Sequence, residues 1–405
     1  MRVLYYGESP FHATGFAQVN KHILDGLCEV ADVTLVATSH YMDPQPATTY
    51  KLIGCTDTND MRNVAAIMPL VEAGEWDIFF YQGDIGANND VLDKVIEQTN
   101  RDKSKSSVFY MPVDCDIAMP QCFNHFALST VPVVYSNHAK SRIEHYIPEL
   151  AQFISVIQLG CETDVFYPMD KLEARRKMFG ESWDDCFIAV NVNRNQARKD
   201  LARCMGAFHL FNQRHENAVL YMHSVQNDIG GSLPTQAALA GCNIMKQPPE
   251  IAFSNLDLTN AWSREQLNEL YNSCDVLVST SHGEGWGLAT TEAMAAGIPV
   301  LVPKNTANLD IIGENEERGW FIETGGDIDH QVYTYAAGGS PHDIIHSQSF
   351  IDKLEYIYTH KEEAAEKCRI ARSWCLENTW KHKKDQWKAL VKLLETTQKA
   401  SLLLV

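Results

Sequence analysis

The stretch with the most chemical content runs from Ser281 to Val300: Ser-His-Gly-Glu-Gly-Trp-Gly-Leu-Ala-Thr-Thr-Glu-Ala-Met-Ala-Ala-Gly-Ile-Pro-Val. Glycines at 283, 285 and 287 let a backbone approach a ligand closely. The good helix formers that follow predict a helix beginning near Leu288 and ended by Gly297. The open N–H groups of such a helix start suit an anionic diphosphate. Glu284 in the loop and Glu292 about one turn into the helix are no phosphate ligands, but carboxylate oxygens accept hydrogen bonds from sugar hydroxyls. Acids that merely complement the helix dipole are the competing reading.

A second group follows the strand-like run ending at Val192. Arg194 and Lys199 are cations at a strand's carboxyl end in an acidic protein, a placement that a bound diphosphate explains. Simple solvated cations are the alternative, and Arg198 reads as the solvated one. Thr14-Gly15-Phe16-Ala17 follows the first strand and opens a helix, which by itself reads as a loop with a helix start. Asp114-Cys115-Asp116 spells an Asp-x-Asp tripeptide, a pattern that also arises by chance, and no metal is assigned to it. His12 and His282 read as loop histidines. Gln82-Gly83-Asp84 and Tyr135-Ser136-Asn137 end strands.

The elements that must position these residues come in two β/α halves. Arg2–Tyr6, Val33–Ala37, Trp76–Gln82, Ser107–Val113, Val131–Ser136 and Ile154–Leu159 read as strands, most nearly continuous in apolar residues, as buried parallel strands are. After the turn-rich segment 160–168 the pattern repeats in Phe187–Val192, Ala218–His223, Asp275–Thr280, Pro299–Pro303 and Gly319–Ile322. Residues 226–250 and 324–345 read as loop-rich insertions, and the last stretch of about 60 residues as helical. The expected fold class is α/β, with two facing Rossmann-like doubly wound domains and a cleft between them. The expected boundaries are 1–165 and 166–378 for the two domains and 379–405 for a terminal helix.

With 405 residues, 45% hydrophobic and 21% charged, the chain has material for more than one core. Its formal charge of −18 disfavours nucleic acid as a partner. Eleven cysteines without a Cys-x-x-Cys pair read as reduced, mostly buried thiols. No apolar run approaches the ~20 residues that span a bilayer, and no signal peptide is legible, so a cytoplasmic protein without an integral membrane segment is expected.

Glu284 and Glu292 form a Glu-x7-Glu pair inside Ser-x-x-Glu-Gly-aromatic-Gly-Leu…Glu-Ala-Met-Ala-x-Gly-x-Pro-Val, which resembles the signature of family 4 retaining glycosyltransferases of the GT-B fold. Val190-Asn191-Val192-Asn193-Arg194…Lys199-Asp200 is similar to that family's Gly-Arg-Leu…Lys-Gly segment, with Asn193 and Asp200 in place of glycines. Gly160-Cys161-Glu162-Thr163-Asp164-Val165-Phe166-Tyr167-Pro168 resembles its interdomain turn, and the helix with Trp380 and Trp387 its terminal helix, which implies that 379–405 packs back on the first domain, with 1–165 the acceptor side and 166–378 the donor side.

The resemblance implies transfer of a hexose from a nucleotide-sugar donor, GDP-mannose first and UDP-glucose next, to a glycan or glycoconjugate hydroxyl. It implies Arg194 and Lys199 on the diphosphate, Glu284 on the donor sugar and Glu292 on the ribose. Gly15, Gly285, Trp286, Gly287 and Leu288 would lie against the donor. Base recognition falls to the 260–262 stretch. No metal and no cofactor are implied. The family's histidine after the fourth strand is missing from Tyr110–Asp116, and Asp114 is preferred over Asp116 in its place. A homodimer is left open. The competing functions are a nucleotide-sugar epimerase or hydrolase of similar fold, and a catalytically silent sugar-binding protein.

Overall fold

The computed structural model describes residues 1–39, 47–55, 57, 59–116, 120–256, 261–334 and 340–402. The chain divides into two compact units. One comprises Met1–Val113, Met119–Gly160 and Trp380–Val405; the other comprises Asp114–Ala118 and Cys161–Thr379.

The first unit is built on a seven-stranded sheet in the order Lys51–Ile53, Asp32–Thr38, Arg2–Glu8, Ile78–Gln82, Ser106–Met111, Val131–Val134, Ser155–Val156. Every pairing in it is parallel. The helix Gly15–Leu27 follows the first strand, and the Thr14 hydroxyl caps it by accepting from Ala17 N. The terminal helix Trp380–Leu402 belongs to this unit. Its Trp387 lies edge-on to Phe80 and Tyr110, and Gln398 donates to Asp77 O and Ser106 Oγ. Gly160 is required there, because a Cβ would lie 2.4 Å from the Trp380 amide nitrogen.

The second unit carries a six-stranded parallel sheet in the order Ile251–Phe253, Ala218–His223, Phe187–Val192, Val276–Val278, Val300–Pro303, Trp320–Ile322. The strand order reverses between Phe187–Val192 and Val276–Val278, which pair through Ala189 with Val276 and Val190 with Leu277. Such a reversal makes the two following loops leave the sheet in diverging directions and opens a crevice at the carboxyl ends. The helix Leu201–Asn212 buries Leu201, Phe208 and Phe211 against Phe187, Leu220 and Met222. Phe350, Ile351 and Leu354 of the helix Ser347–Thr359 join the same core.

Two short edge strands, Lys51–Ile53 and Ile251–Phe253, escape the sequence pattern. Three residues carry too little periodicity, and an edge covered on one side tolerates a polar residue such as Lys51. The two insertions are more ordered than loops. Residues 226–250 contain a small ribbon, Asn227–Asp228 with Gly231–Ser232, and the helix Leu233–Leu239. The other insertion forms an antiparallel hairpin, Gln331–Thr334 with Ser340–Asp343.

A buried ion pair anchors the start of the second sheet. Asp275 accepts from Ile188 N (2.8 Å), Arg175 Nη2 (2.8 Å) and Lys171 Nζ (2.9 Å). Arg175, 5% exposed, also donates to the carbonyls of Ser273, Asp184 and Cys186. Burial pushes the Asp275 carboxyl up, but Lys171 and Arg175 outweigh it and hold its pKa below the ordinary value. A carboxylate with a depressed native pKa contributes stability above its unfolded pKa and loses it as pH falls through the native one. Asp275→Asn is therefore expected to cost about 3–5 kcal/mol at neutral pH in urea unfolding, because it leaves the Arg175 charge uncompensated. The difference from wild type should begin to shrink below about pH 4, where the unfolded carboxyl protonates, and close as pH falls through the lower native pKa.

Candidate functional site

The loops that leave the two central strands of the second sheet carry Lys199 and Glu284. Backbone bonds tie these loops together. His282 N donates to Arg198 O (2.8 Å), and the Thr280 hydroxyl lies 3.0 Å from the carbonyls of both Lys199 and Asp200. Asp200 adopts the left-handed conformation, φ 46°, at one of the positions where the resembling family has glycine. Aspartate tolerates that region better than most side chains. Its carboxylate meets Arg203 Nε at 2.7 Å and His282 Nε2 at 3.2 Å, adding a tie that glycine would lack.

Lys199 Nζ donates to Glu284 Oε1, and both side chains are largely buried. Burial lowers the Lys199 pKa, with Glu284 opposing the shift. Burial pushes Glu284 up, but Lys199 and then Arg198 outweigh it and hold the carboxylate below its usual range. The contact has the geometry of an ion pair, an acceptor-only carboxylate beside an ammonium donor. Glu284 N donates to Thr306 Oγ1 (2.9 Å), which fixes the loop from behind.

Arg198, read from sequence as the solvated cation, turns inward. Its Nη1 donates to Gly283 O (2.7 Å) and lies 3.6 Å from Glu284 and 3.7 Å from Asp114. Arg194 points elsewhere: its Nε meets Asp228 at 2.9 Å and its side chain is 56% exposed. The structure thus gathers Lys199, Glu284 and Arg198, with Asp114 at the edge, and pairs Arg194 with a different acid. Gly283 has a steric reason: a Cβ there would fall 1.8 Å from Asp114 O.

The helix predicted near Leu288 spans Leu288–Ala296, preceded by Gly287 at φ 113° and ended by Gly297. With glycine at the N-cap, the cap residue supplies no side-chain acceptor to the first N–H groups. Trp286 is buried beside it. Glu292 is 8% exposed and held from both sides: Oε1 accepts from Arg264 Nη1 (2.9 Å) and Oε2 from Tyr271 (2.8 Å).

Both partners come from the helix Arg264–Ser273, whose Ser263–Gln266 capping box sets its start. Arg264 and Tyr271, seven residues apart, fall on one helix face. Arg264 also pairs with Glu162 and lies over the Phe166 ring. Sequence reasoning did not find Arg264 or Tyr271. The Ser-x-x-Gln box followed by that spacing was the available signal.

Gly15 begins the helix Gly15–Leu27 of the first unit. At the end of the strand Ala218–His223, His223 stands edge-on to Trp262 with centroids 4.6 Å apart, and burial lowers its pKa to about 4. Asn260, the first residue of the 260–262 stretch expected to recognise the base, lies outside the described residues. Two groups have metal-ligand chemistry among the described residues, His209–Cys242–Glu250 and Asp327–His330–His346, and neither contains Asp114 or Asp116. An open pocket of 730 Å³ lined by Glu323, Gly325, Asp327, His346 and Lys353, among others, includes none of the candidate residues. No helix among the described residues is long and apolar enough to cross a membrane.

Residues 254–334 match the family model described as "Glycosyl transferases group 1". A stretch of 98 residues is 32% identical to the sulfoquinovosyl transferase SQD2 of Arabidopsis thaliana, covering 24% of this chain and 19% of that protein. The match thus spans about a fifth of the length of the curated relative. The fold is similar to sucrose-phosphate synthase from Thermosynechococcus elongatus, with TM-score 0.70, 14% identity, and coverage of 98% of this chain and 99% of that one. It is also similar to HepE of Anabaena in complex with UDP-glucose, with TM-score 0.67, 13% identity, and coverage of 97% and 99%.

Truncating one partner of the central ion pair tests its energetics. Lys199→Met is expected to destabilise by about 3 kcal/mol in chemical denaturation, at the low end for a broken buried pair because Arg198 stays near the carboxylate. The double variant Lys199→Met/Glu284→Leu should cost less than the single one, since no unpaired charge remains. The chain has the GT-B fold, and its second unit carries a segment matching the group 1 glycosyl transferases.

Proposed function

We propose that this chain is a retaining hexosyltransferase that moves a sugar from a nucleoside-diphosphate donor to a hydroxyl of a glycan or glycoconjugate acceptor. The observation that carries the reading is the Lys199–Glu284 pair at the switch point of a sheet whose next helix, Leu288–Ala296, begins without a side-chain cap. Departure of a nucleoside diphosphate develops negative charge on the leaving phosphate. The Lys199 ammonium and the helix-start amides stabilise that charge without reorganising.

Arg194 joins them in this reading. Its pair with Asp228 joins a half-exposed guanidinium to a carboxylate that is only 6% exposed, and in this reading the guanidinium exchanges that partner for the diphosphate. Arg198 braces the glycine loop through Gly283 O. Glu284 accepts from a donor-sugar hydroxyl, and Asp114 serves the same sugar. Each oxygen of Glu292 already accepts one bond and has capacity for another, which suits a ribose hydroxyl. Gly285, Trp286, Gly287 and Leu288 lie along the donor. No side chain is assigned as a covalent nucleophile; retention follows from departure and attack on the same face, with the leaving phosphate taking the acceptor's proton.

Trp262 beside His223 offers an aromatic surface for the base. The HepE complex with UDP-glucose supports a uridine donor, and the family 4 resemblance supports GDP-mannose equally. Titration calorimetry with GDP-mannose and UDP-glucose decides between them. Turnover of the bound donor should fall about 10²–10³-fold in Lys199→Ala and in Glu284→Ala, and the anomeric configuration of the product should match that of the donor by NMR. An epimerase or hydrolase would instead consume donor at the same rate without any acceptor. Failure of the wild-type chain to bind any nucleotide sugar would falsify the reading.

A further inference from the structure

The hairpin Gln331–Thr334/Ser340–Asp343 turns its second strand inward: Ser340 is 0% exposed and His342 only 5%. Ser340 hydrogen-bonds the thiol of Cys115, next to Asp114. The His342 ring lies 6.3 Å from the His282 ring, centroid to centroid, and interacts electrostatically with Asp114, Arg198, His282 and Asp343. An insertion on the far side of the sequence thus brings an imidazole to the surroundings of the Glu284 cluster.

That imidazole is unsatisfied. Among the described residues no protein group hydrogen-bonds Nδ1 or Nε2 of His342, and Nδ1 of neighbouring His282 is in the same condition. The other histidines at the base of this insertion are served: His330 meets Asp327 at 2.7 Å and His346 meets Gly325 O at 2.8 Å. A histidine placed only to fill the core would ordinarily find a carbonyl or hydroxyl, because a buried polar group without a partner is costly. No hydrogen bond tethers the ring, so none opposes its rotation toward an arriving group.

The chemistry of the ring selects the kind of group. Burial lowers the His342 pKa, with Asp114 opposing and His282 and Arg198 adding to the shift, so the ring is neutral at pH 7. A neutral imidazole presents one donor and one acceptor, as a hydroxyl does; a phosphate oxygen only accepts.

Resting on the function proposed above, we infer that His342 is a substrate-binding residue whose imidazole exchanges hydrogen bonds with a hydroxyl of the donor sugar or of the acceptor. The strand Ser340–Asp343 is thereby a specificity element of this chain. The test uses the 405-residue chain and two variants, His342→Phe and His342→Asn. Phe fills a similar volume without polar atoms, and Asn retains a donor and an acceptor. The Phe variant is expected to weaken one substrate about tenfold or more while its melting temperature holds or rises, and Asn should recover part of the loss.

A weaker donor affinity by calorimetry assigns the hydroxyl to the donor sugar, and a raised acceptor KM with unchanged donor affinity assigns it to the acceptor. If wild type turns over and His342→Phe keeps both constants within twofold, the inference is overturned and the functional reading stands. If Phe lowers the melting temperature without changing either constant, His342 is structural and the inference is likewise overturned. A wild-type chain that binds neither GDP-mannose nor UDP-glucose overturns both.

Discussion

An ammonium and a carboxylate removed from water together are stable only when their geometry is fixed by something stronger than their attraction, and in this chain a parallel sheet supplies it. Lys199 and Glu284 are 85 residues apart in sequence. They meet because Phe187–Val192 and Val276–Val278 are neighbours at the point where the strand order reverses. The Thr280 hydroxyl and the His282 amide then lock the two loops to each other by backbone carbonyls. The charge pair is thus a consequence of the sheet; it adds chemistry to a frame already set by hydrophobic burial.

A second layer holds the other carboxylate. Glu292, Arg264, Glu162 and Tyr271 form a connected set in which each acid has a charged or hydroxyl partner, and Phe166 covers the guanidinium. Glu162 and Phe166 come from the segment that resembles an interdomain turn, and Arg264 and Tyr271 from a helix whose capping box sets its phase. Two carboxylates eight positions apart in one motif therefore have different environments: Glu284 faces two cations on the neighbouring loop, while Glu292 is clamped by a helix. That difference matches the division of labour proposed for them, one toward a reacting sugar and one toward a fixed ribose.

The departures from the resembling family are physically intelligible. Asp200 occupies a left-handed position where a glycine is usual, and uses its side chain to hold Arg203 and His282. The 324–345 insertion looked like loop because its strands are short and polar. It folds as a hairpin with Ser340 and His342 inward.

The β/α alternation, both central strands of the second sheet and the glycine-rich loop opening a helix at Leu288 were legible in the sequence, since apolar runs and helix-ending glycines are local signals. The Glu-x7-Glu spacing likewise named the two acids. Which cation reaches Glu284 was not legible: Arg194 and Arg198 differ only in where a loop turns, and the left-handed Asp200 with its ties to Thr280 and His282 settled that turn. Nor were the contacts of Arg264, Tyr271 and His342, because they join segments far apart in the chain. Local order wrote the strands, the helix and the acids; long-range packing chose their partners.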